Sequence, residues 1–304
     1  MTKENKQTGY YKPKYVIVSP VRNEEQFIEK TIKSVISQTV KPGEWIIVND
    51  GSTDNTAQIV KKYTSQYDWI KLLNRKNRGF RKVGGGVIEA FNEGYGFIKN
   101  YNFDFVVILD CDLSFERDYF ERIFWEFSKD EKIGIVSGVY FEKHRGKFKK
   151  TTMPKYHAAG ASKVYKKECF DAIGGLVPSL GWDTLDLIRA QMNGWKTKYL
   201  DNVCFTHHKI EGSGMGLLKT RFLLGKNSFI VGSNPLFYLL RCAYRLKTKP
   251  YIIGGVVMFL GFFISFLRKE QLIASKAEKN FYRQQQKRRL SGLLTRLNIY
   301  NYEG

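Results

Sequence analysis

YVIVSPVRNEEQFIEKTIKSVISQT (residues 15–39) opens on four residues that are apolar on both faces, breaks at Ser19-Pro20, and continues with apolar residues at three- and four-residue spacing. A strand without a polar face must be covered on both sides, and an amphipathic helix directly after it is the covering element. The pattern then repeats. Tyr15–Ser19, Trp45–Asn49, Ile70–Leu73 and Phe105–Leu109 read as strands, with helices predicted over Glu24–Gln38, Asp54–Tyr67 and Val87–Lys99. This alternation predicts an α/β fold on a mostly parallel sheet flanked by helices, with ligands bound beyond the carboxyl ends of the strands.

Three of those strand ends carry candidate chemistry. In Ser19-Pro20-Val21-Arg22-Asn23-Glu24-Glu25 the proline is expected to end the ladder, and the acids fall in the first turn of a helix, where the macrodipole favours them. Asn49-Asp50-Gly51-Ser52-Thr53-Asp54 supplies a carboxylate, a tight turn and a helix cap. Asp110-Cys111-Asp112 places two carboxylates at i and i+2, which point the same way and repel. That arrangement asks for a cation, and Mg2+ or Mn2+ bridging to a diphosphate satisfies it. Arg78-Gly79-Phe80-Arg81-Lys82-Val83-Gly84-Gly85-Gly86 reads either as a flexible loop or as a basic cradle for pyrophosphate; it matches neither the Walker nor the Rossmann fingerprint.

PVRNEEQFIEKTIKSVISQT and WIIVNDGSTDNT, in this order and at this separation, resemble the opening of family-2 glycosyltransferases, and the Asp110–Asp112 pair is similar to the DxD element of their GT-A fold. The resemblance implies that Pro20, Arg22, Glu24 and Asp50 hold the base and ribose of a nucleotide, with Arg78, Lys82 and Asp110 on the donor side. It implies that Asp110 and Asp112 hold the divalent ion, and that the reaction inverts the anomeric centre. Cys111 departs from the commoner middle residue, and its thiol is expected to face the core. The family's acidic base falls at Asp183, with Asp186 one helical turn on as the alternate, although Trp182 stands where Glu is usual. His207 and His208 end a strand, so only one of them points inward. The family spacing to a serine at Ser213 selects His208 as the metal or diphosphate ligand. Gly181 through HHKIEGSG resembles prokaryotic surface-polysaccharide glycosyltransferases, implying a nucleotide-sugar donor (a UDP-sugar first) and a glycan acceptor; a lipid-linked acceptor is expected only from the apolar segment near the C-terminus.

The 304 residues carry 50 Lys and Arg against 29 Asp and Glu, a net charge of +21 that favours an anionic partner. From Arg241 onward thirteen cations face three acids, and they flank apolar stretches at Phe229–Leu240 and Tyr251–Leu267. The second stretch is uncharged over 17 residues where a span needs about 20. A single crossing would put the basic tail outside, against the positive-inside rule. Monotopic or re-entrant attachment with both flanks cytoplasmic is therefore expected, with a hairpin using Phe229–Leu240 as its other arm, or a buried core helix of a soluble protein, as the alternatives. Nucleic acid is disfavoured, because no helix-turn-helix, zinc-finger, RRM or KH signature appears.

Four scattered cysteines predict free thiols, and MTKENKQTGYYKPKY lacks a secretory h-region, so the chain is expected at the cytoplasmic face of a membrane. The organisation expected is a tail over 1–13, a GT-A domain over 14–212 and a basic, apolar helical region over 213–304. A sugar-nucleotide nucleotidyltransferase shares the sheet but carries a basic glycine-rich loop right after the first strand, where this chain has PVRNEE. A catalytically silent nucleotide-sugar-binding protein is the other class left open.

Overall fold

The computed structural model describes residues 13–98, 101–144, 146–209, 215–247 and 250–300. The expected tail over 1–13 lies almost wholly outside these residues, as do Ser213 and the boundary drawn at 212/213. Four parallel strands form half of one sheet: β1 (Tyr15–Val21), β2 (Glu44–Asn49), β3 (Ile70–Asn74) and β4 (Phe105–Leu109), in the order β3-β2-β1-β4. Between them run α1 (Ile28–Ile36), α2 (Thr56–Thr64) and α3 (Gly85–Gly96).

The other half comes from β5 (Leu113–Phe115), β6 (Ile133–His144), β7 (Lys147–Lys150), β8 (Ser162–Lys166) and β9 (Lys196–His207). It continues the order as β4-β8-β6-β9-β5, with β7 on β6. Here β4–β8, β8–β6, β6–β7 and β9–β5 are antiparallel, and only β6–β9 is parallel. The sheet is therefore mixed rather than mostly parallel. The reason is local: after Asp112 the chain adds β8, β7 and β5 in antiparallel pairings around the long β6 and β9, which alone in this half run parallel.

Alternate residues of the central strands supply two separate cores. Tyr15, Ile17, Trp45, Ile47, Val107 and Leu109 pack on α1 and on α4 (Tyr119–Ser128), whereas Val16, Val18, Ile46, Val48, Val106 and Ile108 face α3. Each such aliphatic chain, fully withdrawn from water, contributes roughly 1.5–3 kcal/mol. Pro20 does not end β1, which runs to Val21 with Pro20 opposite Val48. Val21 accepts from the Asp50 N–H on the β2 side, so Pro20 addresses the β4 side, where pairing has stopped at Val18–Ile108. No ladder there needs the missing amide.

Two further helices, α5 (Lys167–Ala172) and α6 (Trp182–Met192), precede β9. Then follow α7 (Leu217–Ile230), α8 (Pro235–Arg245), α9 (Ile253–Leu267) and α10 (Lys276–Tyr300). Among the described residues no helix is long and apolar enough to cross a membrane. Phe229–Leu240 is not one arm of a hairpin, because Gly232 takes φ 81° and Asn234 caps a new helix with Pro235 in its first turn. α7 and α9 cross backbone to backbone: a Cβ on Gly225 would lie 2.1 Å from the Met258 carbonyl, and one on Gly261 2.1 Å from that of Phe222.

Gly261→Val should cost about 1–3 kcal/mol by overpacking, more than the improved helix propensity returns. A lowered thermal midpoint measures this; an unchanged midpoint would show that the crossing can yield.

Candidate active site

β9 assembles the site by its pairing. His207 lies opposite Leu113 of β5 on one side and Glu142 of β6 on the other, and the His208 N–H donates to the Asp112 carbonyl at 2.9 Å. Asp110 and Asp112 follow β4 directly, and Thr31 of α1 pins the turn beyond them, donating to the Leu113 carbonyl at 2.8 Å and accepting from its N–H at 3.0 Å. Asp110, Asp112 and His207 thereby offer ligand atoms within 4.8 Å of one another. The intervening Cys111 is 3% exposed within the core on the other side of the sheet, as expected for a thiol between two outward carboxylates.

These groups are strained electrostatically. Burial, then the charge of Asp112, lifts the Asp110 carboxyl to about 7, with His207 opposing. Burial pulls the His207 imidazole down, yet the hydrogen bond and charge of Asp112, then Asp110 and Glu142, carry it up to about 9. His207 Nε2 lies 3.3 Å from Asp112 Oδ2. Asp112 Oδ1 and His207 Nδ1 are buried with no hydrogen-bond partner. One orphaned carboxylate oxygen and one orphaned imidazole nitrogen, beside the Asp110 carboxylate, make a hard-oxygen and nitrogen donor set of the kind a divalent cation takes, so the residues fit one.

Of the two histidines, His207 joins the carboxylates. His208, which the family spacing selected, turns to the other face, stacks on Phe27 at 5.7 Å and meets Ser114 Oγ at 3.0 Å. Strand alternation separates the pair, and the spacing rule could not foresee that β9 runs through His207.

The remaining predicted residues fall into three places. Glu24 stands beside the cation site: burial raises its carboxyl, the Lys209 hydrogen bond opposes, and Asp112 adds to the rise. Lys209 reaches Glu24 Oε1 at 2.5 Å, a contact the sequence reading missed. The Asp50 carboxylate is gripped by Arg75 at 2.5 Å and Arg78 at 2.6 Å, while Arg22 donates to the Asp50 carbonyl at 2.7 Å. Arg75 was also missed; its position one residue past β3, beside the β2 tip, was the available signal. Arg78 and Lys82 both pair with Glu89 of α3. Arg81 makes no ion pair among the described residues, and its charge is felt by Glu24 and Asp110. The glycines of this segment serve packing: a Cβ on Gly84 would meet Leu180 Cα at 2.6 Å, and one on Gly85 the Pro178 carbonyl at 2.6 Å.

Asp183 and Asp110 line one cleft of about 700 Å³. Asp183 is not the N-cap of α6; Gly181, at φ 90°, holds that position and Asp183 lies in the first turn. Asp186 is not brought to the cleft. Its carboxylate is 2.8 Å from Lys163 Nζ and 2.5 Å from the Tyr165 hydroxyl, in a pair whose side chains are 2% and 0% exposed. Lys163 also donates to the Asp183 carbonyl at 3.1 Å and sits 5.1 Å from the Trp182 ring centroid. Trp182 thus covers the buried cation that positions Asp183, which gives the tryptophan a structural reason.

The family model "Glycosyl transferase family 2" matches residues 16–180. The poly-beta-1,6-N-acetyl-D-glucosamine synthase of Staphylococcus aureus is 34% identical over 116 residues, 38% of this chain and 26% of that protein. That of Staphylococcus epidermidis matches to the same extent. The match thus spans about a quarter of the length of these relatives. Among solved structures, the mannosyltransferase PcManGT from Pyrobaculum calidifontis, in complex with GDP-Man and Mn2+, aligns with a TM-score of 0.56 at 16% identity, covering 88% of this chain and 78% of that one. S. aureus TarS 1–349 in complex with UDP-GlcNAc gives 0.52 at 16% identity and the same coverage. At such identity the likeness is one of fold, and it is the GT-A type expected from the strand tips.

Asp186→Ala would leave Lys163 buried without its partner, a loss of about 3–5 kcal/mol. Urea unfolding should show it; a variant as stable as the parent would mean the lysine escapes to solvent.

Proposed function

The chain belongs to glycosyl transferase family 2 and is a glycosyltransferase; from that premise we propose that it transfers a sugar from a nucleotide diphosphate donor to an acceptor hydroxyl by a single inverting displacement. The observation that carries this reading is the Asp110–Asp112–His207 group, with its orphaned buried lone pairs, opening on the cleft that also holds Asp183. A divalent cation held there by Asp110, Asp112 and His207 would neutralise charge on the departing nucleotide. The imidazole in the set tilts the choice toward Mn2+ over Mg2+.

Asp183 takes the proton of the attacking hydroxyl, and Lys163 holds its backbone in place. Pro20, Arg22, Glu24 and Asp50 sit at the β1 and β2 tips, where base and ribose would lie. Because Arg78 and Lys82 are engaged with Glu89, Arg81 is the cation best placed to meet the diphosphate. The names of the relatives and of the TarS complex make UDP-N-acetylglucosamine the first donor to test.

We also propose that α8 and α9 attach the enzyme to an anionic membrane surface, which accords with the cytoplasmic face expected from the sequence. Leu236 and Leu240 on α8, and Phe259, Phe263 and Phe266 on α9, remain 38–60% exposed. Arg268 and Lys269 directly beyond α9 are exposed cations suited to acidic headgroups.

In a thermal-shift panel of UDP-, GDP- and CDP-sugars with Mn2+, a UDP-sugar should stabilise the protein most. Asp112→Ala should lose the Mn2+-dependent part of the shift and donor turnover by at least a hundredfold. Full activity in Asp112→Ala, or in EDTA, sinks the metal reading. Vesicles containing phosphatidylglycerol should co-sediment the protein more than phosphatidylcholine alone, and Phe263→Glu/Phe266→Glu should weaken this severalfold; sedimentation indifferent to both would remove the membrane proposal.

A further inference from the structure

β6 and β7 form a hairpin whose outer end stands clear of the sheet. Pairing of β6 with β8 stops at Ser137 and with β9 at Glu142, so Lys143 and His144 have only β7 beside them. All four residues of β7, Lys147-Phe148-Lys149-Lys150, are exposed, and so is Lys143. Lys150 is 3.8 Å from the Asp201 carboxylate and donates to the Asp201 carbonyl at 2.8 Å. Lys143, Lys147 and Lys149 make no ion pair among the described residues.

Lysines on an edge strand have a plain purpose, which is to keep other strands from pairing with it. Phe148 does not serve that purpose. It is 58% exposed and stands opposite Lys143 rather than against either core. A strand that needs only protection gains nothing from a large ring left in water. A ring between cations suits the boundary of an anionic bilayer, where the ring enters the acyl edge and the ammonium groups stay among the headgroups. Alternation puts Lys147 and Lys149 on the opposite face of β7 from Phe148, and their four-carbon stems let both heads bend to the layer the ring enters.

The hairpin is also placed beside the element already assigned to lipid. The Thr151 N–H donates to the Tyr140 carbonyl at 2.9 Å, and from there residues 151–154 line the reaction cleft. Tyr244 and Arg245, at the end of α8, line the same cleft. Just beyond, Tyr251, Ile252 and Ile253 at the start of α9 are 55–65% exposed. β7 and the end of α8 therefore border one cleft.

Resting on the membrane reading above, we propose that the β6–β7 hairpin is a second contact with the anionic lipid surface. Phe148 enters the headgroup boundary, and Lys143, Lys147 and Lys149 meet acidic headgroups. Once α8 and α9 are seated this contact is intramolecular, so one ring and three cations suffice to strengthen attachment.

The test uses the full-length protein and two sets of vesicles, phosphatidylcholine alone and phosphatidylcholine carrying phosphatidylglycerol. Lys147→Gln/Lys149→Gln should weaken co-sedimentation with the phosphatidylglycerol vesicles at least fivefold and leave that with phosphatidylcholine unchanged. Phe148→Ser should weaken it severalfold, while both variants keep the parent's thermal midpoint and its shift with UDP and Mn2+. Phe148→Trp should keep binding, and lipids brominated on their acyl chains should quench more of its fluorescence than of the parent's. Hairpin variants that sediment like the parent, or no added quenching in Phe148→Trp, overturn the inference. So do variants that lose binding to soluble polyphosphate while sedimenting normally, which would assign the lysines to a dissolved polyanion. A parent that ignores phosphatidylglycerol vesicles removes the membrane reading itself, and this inference with it.

Discussion

Negative charge crowded at the tips of parallel strands is the constraint around which this molecule is arranged. Asp110 and Asp112 end β4, Glu24 enters from the β1 turn, and Glu142 comes from β6. In the low dielectric of a half-buried site such carboxylates would drive one another apart. The fold answers with cations placed individually. His207 stands between Asp112 and Glu142, Lys209 holds Glu24, and Arg75 and Arg78 hold Asp50. Within that array Asp112 Oδ1, His207 Nδ1 and Glu24 Oε2 remain buried without a hydrogen-bond partner, and the proposed cation falls among them.

The same constraint explains what could be read in the sequence and what could not. Phe105–Leu109 was legible to the residue, and β1 to β3 to within two, because three buried strands, β1, β2 and β4, leave both-faces-apolar runs between turn residues, and the edge strand β3 keeps a shorter apolar run. The parity of those runs also foretold that Asp110 and Asp112 share a side while Cys111 goes to the core. The antiparallel half was not legible. Its strands are interrupted by polar residues, as β9 is by exposed Lys196, Asp201 and Asn202, and only the C-terminal end of that strand, Val203–Thr206, was anticipated. The third ligand depends on a register joining Leu113, His207 and Glu142, residues far apart in the chain. Periodicity carries no register over such separations, so the choice between His207 and His208 was undetermined by pattern.

Asp186 illustrates a different limit. Its spacing on α6 put it one turn from Asp183, and that arithmetic holds. What spacing could not supply was Lys163 and Tyr165 on β8, which claim the carboxylate inside the core. An ion pair there contributes little to net stability beyond what an apolar pair would. Its effect is geometric: the lysine that satisfies Asp186 also binds the Asp183 carbonyl and is roofed by Trp182. The acid presumed to be an alternate base from sequence is the anchor for the lysine that positions the first one.

The C-terminal helices then take on a role that composition alone obscured. Their cations and apolar runs suggest an anchor added to an enzyme, yet they are tied to the sheet domain by polar contacts in its interior. Arg189 of α6 meets Glu278 of α10 at 2.7 Å and Gln285 of α10 donates to Gln191 of α6 at 2.7 Å, while Arg283 ties α10 to the α7–α8 turn through the Gly232 carbonyl at 2.9 Å. The glycine crossing of α7 and α9 sets α7 close enough that Asn227 would contact any side chain placed at Gly181, the cap of the helix bearing Asp183. The face of α8 and α9 proposed above for membrane attachment therefore belongs to the same packed unit as the wall of the cleft. Seating the outer face of α8 on lipid would fix the direction from which an acceptor reaches Asp183, because the helix cannot tilt without moving the cleft wall.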